Sequence, residues 1–296
     1  MARSDSRPPK FGIVTVVTDS SIPTVELARW AEGRGFESLF MGEHSHIPTS
    51  RRTPYPGGAA LPEYYMHFPD PFVELTAAAA VTQELKVGTA VCLLTEHHPI
   101  TLAKTVATLD RVSSGRFLFG IGGGWNVEEM ANHGVEFKDR WTVTREFVLA
   151  MRAIWSSPEA EFHGKFVDFG RIWSWPKPVQ KGGPPVLLGV GATKAMPRRL
   201  IEYCNGWMPL DGINDVVAGI ASLRGEAERA GRALEDFDLS VLTGFGGFEA
   251  TSMEKRVREL SQLGFQRILL VLEPPGSPDT QWSLLDQFAR LLKRFQ

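Results

Sequence analysis

Residues 86–126 read KVGTAVCLLTEHHPITLAKTVATLDRVSSGRFLFGIGGGWN. Short apolar, β-branched runs at 86–93 and 116–121 flank a segment, 100–112, in which apolar residues return every three or four positions. Such runs are typical of buried parallel strands, and the segment between them is typical of an amphipathic helix. The stretch therefore predicts one strand–helix–strand unit of an α/β protein.

The same alternation continues in both directions and yields eight predicted strand–helix pairs. The strands are predicted at 11–17, 38–42, 86–93, 116–121, 185–190, 206–210, 237–242 and 266–272. The helices are predicted at 24–34, 71–83, 100–112, 141–155, 193–203, 213–230, 251–263 and 281–295.

Eight pairs without a linker favour a closed (β/α)8 TIM barrel, formed by one domain over residues 1–296. An open doubly wound sheet is the alternative. Two long segments are predicted as insertions, 44–70 after the second strand and 157–184 before the fifth. The second contains alternating aromatic residues and Gly164 at a turn, which predicts a small hairpin.

Composition excludes several classes of protein. Lys and Arg total 32 against 34 Asp and Glu, a net charge of −2, so the chain lacks the basic surface that nucleic-acid binding requires. No run approaches the ~20 apolar residues of a membrane span, and the N-terminus resembles no leader, so we expect a cytoplasmic protein. Cys92 and Cys204 are expected to be buried, reduced thiols.

Two glycine-rich loops follow the fourth and fifth predicted strands, at the barrel end where ligands bind. Backbone N–H groups of such loops, with the N-terminus of the next helix, bind anions such as phosphate. Either loop alone is explained equally well by a tight turn, whereas two on neighbouring strands favour a ligand. Neither loop contains a dinucleotide-binding or P-loop motif. The first loop comprises Gly122, Gly123, Gly124, Trp125 and Asn126, and the second comprises Gly189, Gly191, Ala192 and Thr193. Thr193 is predicted to cap the next helix, and Lys194, Arg198 and Arg199 add positive charge there.

His44 and His46 follow the second predicted strand at a spacing that could offer two imidazoles to a metal. A binuclear metal site in a barrel would need further histidines after strands five and six and an aspartate after strand eight. These ends instead read Gly191-Ala192-Thr193, Met208-Pro209-Leu210 and Glu273-Pro274-Pro275. We therefore predict no metal site. His44 is predicted to transfer a proton or to form a hydrogen bond beside a cofactor, and a purely structural role in the loop is the alternative.

Four tryptophans fall at or near the predicted barrel mouth, where they would form flat apolar walls for a planar ligand. Packing is the alternative, and it explains each tryptophan taken alone better than recognition does. Those predicted at or near the mouth are Trp125, Trp173, Trp175 and Trp207.

Four motifs occur in order along the chain: FMGEH at 40–44, VGTAV at 87–91, SGRF and GIGGGWN within 114–126, and PVLLGVG and NGW within 185–207. Together they resemble the bacterial luciferase-like monooxygenase superfamily and, within it, the coenzyme F420-dependent oxidoreductases of actinobacteria. The similarity extends over residues 11–295.

This resemblance implies a (β/α)8 barrel with a deazaflavin or flavin lying across its mouth and the tail phosphate on the loop after strand five. It implies a non-prolyl cis peptide bond at Ala90–Val91 in strand three. It also adds Glu43, Ala90 and Val91 to the cofactor-binding residues of the two glycine loops. His44 matches the residue that acts as base toward a substrate hydroxyl in related F420-dependent dehydrogenases. Trp125 stands where the sugar-phosphate branch has an acid, which favours a small, more apolar substrate.

Coenzyme F420 is the preferred cofactor, because Lys194, Arg198 and Arg199 suit its acidic tail. The predicted activity is hydride transfer between the deazaflavin C5 and an organic substrate. An FMN-dependent monooxygenase and a non-catalytic flavin-binding relative are the alternatives. Relatives are frequently dimers, so a homodimer is expected.

Overall fold

The computed structural model describes residues 8–56, 58–244, 247–272 and 277–296. The first seven residues lie outside the described residues. So does the segment Glu273-Pro274-Pro275, which follows the eighth predicted strand and lacks the aspartate of a binuclear metal site.

The structure confirms the predicted (β/α)8 barrel. The strands are β1 (Lys10–Thr15), β2 (Ser38–Met41), β3 (Lys86–Thr89), β4 (Cys92–Leu93), β5 (Phe117–Gly122), β6 (Ala160–His163), β7 (Asp168–Ile172), β8 (Val186–Leu188), β9 (Gly206–Trp207), β10 (Asp238–Thr243) and β11 (Arg267–Leu272).

The barrel strands pair in parallel in the order β1-β2-β3-β5-β8-β9-β10-β11. Strand β11 pairs with β1, from Lys10–Arg267 to Thr15–Leu272, and so closes the barrel. A separate antiparallel hairpin is formed by β6 and β7.

Helices cover the outside of the barrel. They are α1 (Thr24–Gly33), α2 (Pro71–Ala80), α3 (Pro99–Val112), α4 (Val127–Asn132), α5 (Arg140–Ser156), α6 (Met196–Tyr203), α7 (Val216–Arg229), α8 (Ala250–Gln262) and α9 (Pro278–Leu292). Among these described helices, none combines the length and the apolar character that a membrane crossing requires.

Side chains alternate between two apolar layers because successive residues of a strand point to opposite faces. Within β5, Leu118 belongs to the cluster inside the barrel, whereas Phe117 and Phe119 belong to the larger cluster between barrel and helices. Cys92 and Cys204 are buried free thiols, as predicted.

Several element boundaries differ from the predictions. The third predicted strand is divided into β3 and β4 by a cis peptide bond between Ala90 and Val91. Helix α4 was not predicted, because six residues are too few to reveal a helical period. Helix α7 begins at Val216 instead of residue 213, since the Asp215 side chain accepts a hydrogen bond from the Ala218 N–H at 2.9 Å and so fixes its N-terminus.

The predicted hairpin is present and is attached to α5. The Gly164 N–H donates to the Val167 carbonyl at 2.8 Å, which closes the turn. The N–H groups of residues 165–167 all donate to the buried carboxylate of Glu146 at 2.7–3.1 Å. The hairpin therefore lies along the outer helical layer.

Three of the four predicted mouth tryptophans lie elsewhere. Trp207 is fully buried in β9, and its ring lies against Gly219 of α7, so it packs between barrel and helix. Trp173 and Trp175 are exposed, and the Trp175 carbonyl accepts a hydrogen bond from Lys104 of α3. Both follow the hairpin on the outer layer, so the prediction that they line the mouth is wrong.

Candidate active site

His44 follows β2 at the carboxyl ends of the strands and is buried, with 8% of its surface exposed. Its Nδ1 lies 2.8 Å from Glu129 Oε2, and its Nε2 lies 3.4 Å from the indole nitrogen of Trp125. The Trp125 N–H can only donate, so Nε2 is the acceptor and the neutral ring carries its proton on Nδ1, facing Glu129. This tautomer leaves the Nε2 lone pair available as a base.

Aromatic rings surround the His44 imidazole. Ring centroids of Tyr65 and Phe68 lie 5.1 and 5.3 Å from it, and that of Trp125 lies 5.8 Å away. Tyr65 and Phe68 belong to the predicted insertion after β2, which therefore folds back over the histidine. Three aromatic side chains therefore pack around the imidazole.

Glu96, from the 3-10 turn after β4, is the second carboxylate near His44. Polar atoms of His44, Glu96 and Glu129 all lie within 4.8 Å of one another. Burial and the neighbouring charge of Glu129 raise the pKa of Glu96 to about 9, although the Ser45 N–H donates to it at 3.1 Å. At neutral pH Glu96 therefore holds a proton, and the carboxylate that contacts His44 Nδ1 is that of Glu129.

His46, the other histidine of the predicted pair, does not join His44. It is exposed, and its two ring nitrogens contact Ser45 Oγ at 2.9 Å and Asn132 Nδ2 at 2.8 Å. The two-histidine arrangement weighed for a metal is thus not formed.

Glu43, predicted to bind the cofactor, has both carboxylate oxygens engaged within the protein. One accepts from the Leu93 N–H at 2.6 Å, and the other contacts His97 Nε2 at 2.8 Å. Burial lowers the pKa of His97, but the hydrogen bond and charge of Glu43 outweigh it and leave that pKa raised. Glu43 therefore holds β4 in place directly after the cis peptide bond.

Val91 lies between the two glycine loops. A methyl group at Gly122 would approach Val91 Cγ2 to 2.6 Å, and one at Gly189 would overlap Val91 Cγ1. The Gly189 N–H donates to the Ile121 carbonyl at 2.8 Å, which joins the loops directly. The structure thus brings the two predicted loops together at the mouth, with the Val91 side chain packed against a glycine of each.

Asn126 ends the loop after β5 and is 2% exposed. Its Oδ1 accepts from the Glu129 N–H at 3.4 Å at the start of α4, which also positions the Glu129 side chain. Its Nδ2 is buried and has no hydrogen-bond partner among the described residues. An unsatisfied buried amide is costly, so this donor is suited to a ligand acceptor.

The loop after β8 differs from the prediction at its helix. Thr193 does not cap the helix, because its carbonyl accepts from the Met196 N–H at 3.1 Å in a turn that delays α6 until Met196. Within the described residues, the N–H groups of Gly191, Ala192 and Lys194 form no hydrogen bond. Lys194 and Arg198 are exposed beside them. The predicted anion-binding features are therefore present, without the threonine cap.

Glu129, Glu96, Tyr65 and Phe68 were not predicted as site residues. Glu129 is 85 positions from His44 in sequence and lies on the unpredicted helix α4. The sequence feature that could have indicated Glu129 is the acidic pair Glu128-Glu129, which follows the glycine loop after one intervening residue.

The chain is similar in sequence to known proteins over most of its length. The sequence pattern of luciferase-like monooxygenases matches residues 14–269. An uncharacterized Mycobacterium tuberculosis protein, Rv0953c, is 42% identical over 225 residues, which are 75% of this chain and 79% of that protein.

Two more distant relatives use different cofactors. The FMNH2-dependent dimethylsulfone monooxygenase of Pseudomonas putida is 29% identical over 54% of this chain and 44% of its own length. The F420-dependent glucose-6-phosphate dehydrogenase of Mycolicibacterium fortuitum is 28% identical over 73% of this chain and 62% of its own length.

Proposed function

Because the chain belongs to the luciferase-like monooxygenase family, we propose that it is an oxidoreductase that uses coenzyme F420 and acts on a small, rather apolar alcohol or carbonyl compound. The observation that carries the proposal is the pairing of His44 with Glu129 beside the surface formed by Val91 and the two glycine loops. This places a base next to the Val91 side chain and the backbone of two glycine loops, where a flat ring can lie.

The residues around that surface suit a deazaflavin. Gly122 and Gly189 let the two loops approach the Val91 side chain closely, and the unpaired amide of Asn126 offers a donor to a ring carbonyl. The free N–H groups at Gly191, Ala192 and Lys194 suit a phosphate. A bound F420 would supply hydride transfer at C5.

His44 moves the proton that accompanies the hydride. In alcohol oxidation, the substrate hydroxyl gives its proton to Nε2 while its carbon loses a hydride. In carbonyl reduction, the protonated ring returns that proton to the oxygen. Glu129 stabilises the imidazolium, since the Nδ1–H···Oε2 contact of 2.8 Å becomes charge-assisted when the ring is protonated.

Trp125 determines how a substrate reaches the base. Its N–H contacts Nε2 at 3.4 Å, near the limit for a hydrogen bond, so this bond is weak. A substrate hydroxyl can replace it at Nε2 at little cost. The rings of Tyr65 and Phe68 then exclude water from the reacting atoms and favour an apolar substrate.

The test is cofactor binding followed by turnover. We expect F420 to bind with quenching of deazaflavin fluorescence, more tightly than FMN, and reduced F420 to appear with an alcohol from a broad panel. Tighter FMN binding with oxygen uptake would instead establish an FMN-dependent monooxygenase. F420 binding without hydride transfer to or from any alcohol, enone or carbonyl compound would establish a non-catalytic relative.

A further inference from the structure

Two arginines share one tryptophan beside the loop after β5. The Arg199 guanidinium carbon lies 3.9 Å from the Trp141 ring centroid, and that of Arg140 lies 5.7 Å from it. A methyl group at Gly123 would lie 3.1 Å from the same indole. The two cations are therefore held directly behind the glycine loop, where the starts of α5 and α6 meet.

Among the residues that the structure describes, neither cation has an acidic partner. Arg140 and Arg199 form no ion pair there, and the hydrogen bond of Arg140 goes to the Phe137 carbonyl at 2.7 Å. Two acids close to them in sequence contact other cations: Glu202 contacts Arg145 at 2.6 Å, and Asp139 lies 3.9 Å from Lys165.

Two neighbouring unpaired guanidiniums are unfavourable by themselves. Burial and the charge of Arg199 lower the pKa of Arg140, and burial lowers the pKa of Arg199. The folded chain nevertheless keeps the Arg199 guanidinium stacked on Trp141 and the Arg140 guanidinium stacked on Phe137, 3.7 Å from its ring centroid, at the edge of the same indole. A guanidinium that is stacked on an indole keeps its edge N–H groups free, and these bind carboxylates in a bidentate manner.

We propose that Arg140 and Arg199 form a second anion subsite, beyond the phosphate site, for the carboxylates of an acidic cofactor tail. This inference rests on the proposed function. The phosphate would lie on the free N–H groups between Gly191 and Lys194, and the chain beyond it would pass over the start of α6 to Trp141. FMN ends at its phosphate and has nothing to place there, so the subsite would favour F420 with several glutamates.

The experiment measures dissociation constants by fluorescence quenching for three ligands: the deazaflavin riboside without phosphate, the phospholactyl form without glutamates, and F420 with several glutamates. In the unaltered protein we expect the glutamate form to bind about 5- to 30-fold more tightly than the phospholactyl form, with the difference lost in high salt.

Arg140→Gln and Arg199→Gln should each reduce this tail preference about 2- to 5-fold and leave riboside binding unchanged. Arg145→Gln, on the same helix but paired with Glu202, is the matched control and should keep the preference. Arg199→Lys should restore only part of the loss, since a lysine keeps the charge without the planar fork.

Equal affinity for the phospholactyl and glutamate forms in the unaltered protein would overturn the inference while leaving the proposed function intact. A loss of riboside binding equal to the loss of tail binding in both glutamine variants would also overturn it. If no deazaflavin binds at all, the proposed function itself fails. The comparison of ligands in the unaltered protein decides the question even where a variant does not fold.

Discussion

The polar groups beside His44 are bonded within the chain, whereas the backbone N–H groups around Gly191 are, among the described residues, unpaired. On the first side, the Glu129 carboxylate contacts His44 Nδ1 at 2.8 Å, and the Ser45 N–H donates to Glu96 at 3.1 Å. On the second, the N–H groups of Gly191, Ala192 and Lys194 form no hydrogen bond, and the Arg140 and Arg199 guanidiniums form no ion pair within the described residues. We therefore expect only the second side to require a bound anion.

Removing His44 gives the sharpest separation of the two sides. His44→Ala should lower turnover by about 10²- to 10⁴-fold and leave the F420 dissociation constant nearly unchanged, because it removes the base without touching the glycine loops. His46→Ala, which removes an exposed imidazole two residues away, is the control and should keep turnover. Steady-state kinetics and fluorescence titration check both, and unchanged turnover in His44→Ala would make the histidine structural.

Glu129→Gln tests whether the buried pair acts as a unit. The amide can still accept from Nδ1 but carries no charge, so the imidazolium loses its stabilisation, and we expect turnover to fall about 10- to 100-fold. The pH–rate profile should change as well. Glu136→Gln, in an exposed position, should change neither. A profile that does not move would show that Glu129 only orients the ring.

Gly191→Val addresses the other side. A Cβ at this position approaches only the Asn214 amide, a flexible side-chain end at 2.8 Å, so the fold should tolerate it. The added side chain would cover the free N–H groups and raise the F420 dissociation constant about 10-fold or more, with riboside binding much less affected. Gly170→Val, where a Cβ meets nothing within 4 Å, is the control. A loss of turnover at saturating F420 would contradict the separation of the two sides.

The smallest expected effect concerns the pH dependence of stability. The pKa of Glu96 is about 9 in the folded chain against an ordinary value of 4.5, so unfolding releases its proton between these values. The folded state binds more protons there, and stability contributed by this group is lost as the pH rises from 4.5 to 9. In the Glu96→Gln variant, Tm should therefore fall less as the pH rises across this range. Each kcal/mol of unfolding free energy that is no longer lost corresponds to about 2–4 °C in Tm. Differential scanning calorimetry at several pH values checks this, with Glu84→Gln as an exposed control; parallel curves would show that Glu96 is already charged.

The barrel was predictable because its signals are local. Each strand is a short apolar run, each long helix shows its period, and the glycines after β5 and β8 lie where backbone approaches Val91. The cis peptide bond at Ala90–Val91 was predicted only from the family resemblance, because neither the composition nor the hydrophobic periodicity of a sequence indicates a peptide-bond isomer.

The rest of the site depends on contacts between distant segments. Glu129 reaches His44 from another strand–helix unit, and Tyr65 reaches it from a long irregular insertion. Trp207 was misplaced because a two-residue strand does not show which way its side chains point. Thr193 was misassigned because a local turn to Met196 precedes the helix.

Barrel closure also limits how copies of this chain can associate. Pairing of β3 with β5 and of β11 with β1 leaves these strands no open edge, and Glu43 covers the backbone N–H of Leu93 in β4. The β6–β7 hairpin, in contrast, has outer edges free of any further strand among the residues described. Intermolecular strand addition, including that which begins aggregation, is therefore directed to the hairpin and away from the catalytic barrel.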